Sequence, residues 1–142
     1  MSINTPCIGI CSTVYGDEVC RGCKRRFKEV IDWNNLDSDY QDLIWARLNS
    51  QAEIALNHKI KIINLDLFNF SLSQYHVIKT PKHKDAFLIL LLLRQAALEI
   101  QNLAELGLGV ELGVNLDLDI LNKSPGQWMK ELDDEFYQLA DA

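Results

Sequence analysis

Four cysteines constrain this chain more than any other feature. Cys7, Cys11, Cys20 and Cys23 all lie within the first 23 residues, and no cysteine follows them. Their spacing is C-x3-C-x8-C-x2-C. Two close pairs separated by a short loop can converge four sulfurs on one point, the geometry of a tetrahedral thiolate site. The loop holds Gly16 and Asp17, both tolerant of a turn, while Pro6 stiffens the approach. Gly22, inside the second pair, lets backbone amides come near a sulfur. Two disulfides are the first alternative, and a reducing compartment disfavours them. Four unrelated buried thiols are the second, and they leave the paired spacing without a cause. A bound metal or cluster is the preferred reading. C-x2-4-C pairs match closed structural zinc sites, and neither ferredoxin spacing is present, so Zn2+ is favoured and an Fe-S cluster is the alternative.

The rest of the composition narrows the class. A chain of 142 residues with 48% hydrophobic and 24% charged side chains suits one domain-sized body with a buried core. Fourteen Lys plus Arg against 20 Asp plus Glu give a net charge of −6, which disfavours wholesale coating of nucleic acid. The start Met-Ser-Ile-Asn-Thr-Pro has neither a basic nor an apolar signal region. The densest apolar run, residues 86–93, stops at Arg94, far short of the ~20 residues a membrane span needs. The expectation is a cytoplasmic protein with no membrane association.

Three stretches carry a family resemblance: Thr5-Pro6-Cys7-Ile8-Gly9-Ile10-Cys11, then Val19-Cys20-Arg21-Gly22-Cys23-Lys24-Arg25, then Glu29-Val30-Ile31-Asp32-Trp33. Together they resemble the small bacterial family catalogued as domain of unknown function 1289, whose members are often labelled predicted Fe-S proteins. The family pattern falls on Pro6, Cys7, Ile8, Cys11, Cys20, Gly22, Cys23, Arg25, Glu29, Val30 and Trp33, over roughly residues 5–50. Lys24 stands where the family usually has Gly. The resemblance implies a four-cysteine metal or cluster module, with Cys7, Cys11, Cys20 and Cys23 as ligands, and brings no activity with it.

Periodicity organises the remainder. Phe27, Val30 and Ile31 predict a short helix leaving the cysteines and ending near residues 34–35, its positive N-terminal end facing the thiolates. Ser38 to Gln41 read as a capping box, and Ile44, Leu48, Ala52 and Ala55 as the apolar stripe of a helix over about 39–56. Between residues 59 and 72 apolar and polar residues alternate, which predicts one or two strands with a slip between Leu67 and Phe68. Residues 75–79 read as another short strand. Thr80-Pro81 reads as the start of a helix running to Gly107, and because residues 86–93 are apolar all round, that helix should be central. Residues 115–121 alternate again, and Ser124-Pro125-Gly126-Gln127 opens a last helix with Trp128, Leu132, Phe136 and Leu139 on one face. The predicted fold class is α+β. A four-cysteine metal knuckle (residues 1–35) precedes a helical connector and small α+β body (36–142), either as two parts or as one folded unit.

Weaker constellations point to bland roles. Arg21, Lys24, Arg25, Arg26 and Lys28 crowd beside the cysteines. Phosphate contact through Arg21, Lys24, Arg25 and Lys28 is one reading; the preferred one is that these cations offset the negative charge of thiolates. The glycine-rich run 107–113 follows a helix where a dinucleotide loop would follow a strand, and reads as a flexible connection. Asp117 and Asp119 lack the ligand order of a calcium loop. His58, His76 and His83 are scattered, and no nucleophile, base or paired carboxylate is placed for catalysis. The function expected is therefore a non-enzymatic accessory protein with a closed four-thiolate site and a protein partner. The alternative is a small iron-sulfur protein for electron transfer or redox sensing.

Overall fold

The computed structural model describes residues 5–8, 11–111 and 123–141. It is an α+β fold in which helices dominate. Among the described residues the helices are α1 (Phe27–Asp32), α2 (Ser38–Leu56), α3 (Leu65–Gln74), α4 (Asp85–Ala96) and α5 (Pro125–Asp141), and the strands are β1 (Ile60–Ile62) and β2 (Leu108–Val110).

Helices α2, α4 and α5 pack pairwise on one another and enclose the main core. In α2 the predicted stripe is buried, with Trp45 added beside Ile44, and Leu48 and Ala52 are fully enclosed. Its start differs by one residue from the reading above: Asp37 is the cap, its Oδ1 accepting from the Tyr40 amide at 2.8 Å. Helix α4 is the central one, every residue from Ala86 to Leu93 being buried, and each such Leu contributes about 2 kcal/mol through burial. Helix α5 opens as expected, with Ser124 and Gln127 exchanging side-chain to backbone hydrogen bonds, and buries Trp128, Leu132 and Phe136.

Several local expectations are corrected. Residues 65–74 form a helix instead of a strand: Asn64 Oδ1 accepts from the Leu67 amide at 3.1 Å, and Phe68, Ser71 and Leu72 face inward at helical spacing. Leu65 and Phe70, which completed the alternation, are exposed. Residues 75–79 form no strand. Helix α4 starts at Asp85, not Thr80, because Thr80 closes a turn on His83, its amide donating to His83 Nδ1 at 3.1 Å. The N-cap residue of α4 is Lys84, with no side-chain cap of its own, and it is held from another helix: Asn49 Oδ1, on α2, accepts from the Lys84 amide at 2.9 Å. The helix also stops short of Gly107, which instead ends the separate 3-10 turn Leu103–Leu106 at φ 76°. A Cβ at Gly107 would lie 2.4 Å from the Asn64 carbonyl oxygen, so only glycine fits. The part of the glycine-rich run just after it is no loose connection, since Leu108–Val110 pairs antiparallel with Ile60–Ile62. The strand expected over 115–121 lies outside the described residues.

Candidate metal centre

The C-x2-C pair sits on a tight reversal of the backbone. Cys20 N donates to the Arg25 oxygen and Lys24 N to the Cys20 oxygen, both at 2.8 Å, and Val19 and Arg26 form an antiparallel bridge just outside. Lys24 completes the turn at φ 67°, the left-handed region that favours glycine.

This turn places two thiols side by side and hides them: Cys20 and Cys23 are each 1% exposed. Their side chains are hydrogen-bonded to each other. The Cys20 sulfur also accepts from the backbone amides of Ser12, Gly22 and Cys23. Its pKa falls to about 4, first because of the hydrogen bond with Cys23, against the opposing effect of burial, with the amides adding to the fall. The Cys23 thiol is pushed up by that same hydrogen bond and by burial, while Arg25 opposes. Arg25 Nε donates to Cys23 Sγ at 3.3 Å, and its guanidinium lies over the Trp33 ring, 5.0 Å from the centroid.

The first pair is placed differently. Cys11 Sγ lies 2.8 Å from Thr13 Oγ1, and the Ser12 hydroxyl accepts from the Arg21 amide at 2.8 Å, so the Cys11 segment is laced to the C-x2-C turn. Cys7 lines a cleft with Ile8, His76, His83 and Leu91. Cys7 and Cys11 are half-buried, whereas Cys20 and Cys23 are buried. Among the described residues, no three His, Cys, Asp or Glu side chains form a group that could hold a metal ion. Cys20 and Cys23 are brought together; Cys7 and Cys11 do not complete a ligand group around them.

The donor chemistry nonetheless fits a cationic metal. The buried sulfurs meet amide N–H groups and a guanidinium, all of which favour the thiolate form a metal binds. These amides come from Ser12, Gly22 and Cys23, not from the end of α1 as the sequence suggested. There, Phe27 N donates to the Glu18 oxygen and Arg26 N to Glu29 Oε1. Phe27 and Ile31, the expected apolar stripe of α1, are exposed. Glu29 is instead anchored by Arg47 of α2, whose Nη1 and Nη2 bind its two oxygens. Burial works to raise the Glu29 pKa, and the hydrogen bonds from Arg47 and Arg26 outweigh it and hold the carboxyl below its usual range.

The run of five cations is not one solvated face. Lys24 and Arg25 are buried, while Arg21, Arg26 and Lys28 are exposed. Burial lowers the Lys24 pKa, and Asp133 opposes that fall. The Lys24 ammonium donates to Asp133 Oδ1 at 2.8 Å and to the Arg21 oxygen, and Arg94 Nη1 reaches the other Asp133 oxygen at 2.9 Å. Neither Asp133 nor Arg94 stands out in the sequence, since 109 residues separate Lys24 from its carboxylate partner.

Residues 5–52 match the model of a family described as a protein of unknown function, DUF1289. That is the family the cysteine motifs resemble, and the match runs from the segment before Cys7 into α2. No curated protein and no solved structure matches the chain.

Proposed function

We propose that this chain is a metal-binding accessory protein, not an enzyme, in which Cys7, Cys11, Cys20 and Cys23 hold one Zn2+ as thiolates and the ordered N-terminal segment docks on a protein partner. The observation that carries the reading is the buried C-x2-C turn, where three backbone amides converge on the Cys20 sulfur and Arg25 Nε meets Cys23. Uncharged thiols gain little from such donors; thiolates gain charge-assisted hydrogen bonds. Capture of the ion would draw Cys7 and Cys11 to the pair. Four protein sulfurs close a tetrahedral site, leaving no open position for a substrate, so the ion's contribution is folding free energy.

A second reading rests on the same donors. Hydrogen bonds to buried sulfurs are among the levers that set the potential of an iron-sulfur cluster, so the site also suits electron transfer or redox sensing. Elemental analysis and a visible spectrum of protein purified without oxygen test both. One zinc per chain and no colour is expected. Iron with inorganic sulfide and a brown absorbance moves the assignment to a cluster, and neither metal overturns the four-thiolate site altogether.

A further inference from the structure

We infer that the C-terminal helix α5 is a working part of the four-cysteine site: metal binding at the cysteines and docking of α5 are coupled through the Lys24–Asp133 ion pair. The inference rests on the metal reading above and names the element with which that site communicates.

The Lys24 ammonium is 1% exposed, and its three protons have three acceptors: the carbonyl oxygens of Arg21 and Gly22, and Asp133 Oδ1. The two carbonyls belong to the residues between Cys20 and Cys23. The cation therefore holds the turn that presents both sulfurs, and α5 in turn holds the cation. A buried charge is tolerated only with such pairing, so the contact is all or nothing.

Two more contacts fall on the same face of α5. The Phe136 ring lies 5.3 Å from the Lys24 ammonium, and the Tyr137 ring 4.2 Å from the Arg21 guanidinium. Positions 133, 136 and 137 are neighbours on a helix surface. Asp133 Oδ2 also takes Arg94 of α4, so the carboxylate is fixed to the core and not free to follow the turn. Lys24 adopts a backbone conformation better suited to glycine. In a glycine chain the turn can form unaided; here it forms against α5. A turn shape that favours metal binding and depends on α5 makes the two equilibria reciprocal, so each stabilises the other by the same factor.

The test uses the full-length chain, zinc titration against a chromogenic chelator, and hydrogen exchange of α5 amides with and without zinc. In wild type, zinc should slow exchange along α5. Asp133→Asn should weaken zinc binding 10- to 100-fold, the range for groups that orient metal ligands, and abolish the zinc-dependent slowing. Lys24→Gly, which suits the backbone and removes the buried charge, should keep zinc binding within a few-fold of wild type while α5 no longer responds. Combined with Asp133→Asn, it should restore most of the lost affinity, which a general loss of stability would not do. If Asp133→Asn fails to fold, Lys24→Gly decides alone: zinc-dependent protection of α5 in that variant overturns the coupling. So does wild-type protein that binds zinc while α5 exchange stays unchanged. Wild-type protein that takes up no metal overturns the four-thiolate reading itself, an outcome visible before any variant is made.

Discussion

Gln41 Nε2 donates to the Trp33 carbonyl oxygen at 2.7 Å, fastening the first turns of α2 to the residue at which the N-terminal segment joins the body. The Trp33 side chain points into the main core and is 4% exposed. Because the hydrogen bond uses the backbone of Trp33, the side chain can be removed without breaking it. Trp33→Ala should therefore report the indole's own contacts, its packing in the core and the Arg25 guanidinium over its ring, lowering stability by about 3 kcal/mol. A denaturant midpoint unchanged from wild type would place the indole outside the core.

The amides of Ser12, Gly22 and Cys23 favour the thiolate form of Cys20, and Cys20→Ser should release most of the metal. Folding of the first ~35 residues should go with it, since ligation supplies on the order of 10 kcal/mol in structural zinc sites. Helices α2, α4 and α5 have their own core and should keep their circular dichroism. Stoichiometric metal in the Cys20→Ser protein would contradict the four-thiolate assignment.

His83 supplies a pH dependence independent of the cysteine turn. Burial lowers its pKa from 6.5 to about 4, and its ring sits edge-on to Trp45 at 4.8 Å between centroids. Folded protein holds the imidazole neutral where the unfolded chain would protonate it. The stabilisation is thus fully present above pH 6.5 and is lost as pH falls from about 6.5 to about 4. The full shift corresponds to ~3 kcal/mol, which partial exposure reduces to about 1–2 kcal/mol. His83→Gln should flatten stability across that interval; an equal acid slope in both proteins would assign the effect to another group.

The buried placement of Lys24 and Arg25 bears on nucleic acid. With only Arg21, Arg26 and Lys28 exposed in this stretch, single-stranded RNA should bind negligibly at physiological salt. Arg25→Ala should instead reduce metal retention, because it strips the guanidinium from Cys23. Micromolar RNA binding with a log–log salt slope steeper than about −2, equivalent to three phosphate contacts, would reverse this expectation.

How far the fold could be read in advance depended on where each signal resides. Helices α2 and α5 were legible because their stripes are long and their caps adjacent in sequence, as Ser124 and Gln127 show. Residues 65–74 mimic a strand in the sequence because Leu65 and Phe70 make a strand-like alternation although both face solvent. The signal for a helix there was Asn64 ahead of Asp66 in the first turn. The start of α4 could not be found from its own residues, since its N-cap, Lys84, offers no side-chain cap and its amide is held by Asn49 of α2. At the candidate site the cysteines announced themselves. What surrounds them did not: amides carry no residue identity, and Asp133 meets Lys24 only through the tertiary fold.

The β1–β2 pair has a consequence for the order in which the chain assembles. Ile62 pairs with Leu108, and about 45 residues, including α3 and α4, lie between them. Closing such a loop carries an entropic cost of about 3 kcal/mol, and three residues per strand form too small a ribbon to bear it alone. The ribbon is therefore a clasp that shuts late, after α4 has settled against α2 and brought its two halves within reach. Its hydrogen bonds, with the one from the Glu111 amide to the Lys59 oxygen beside them, should be among the last to form and the first to open.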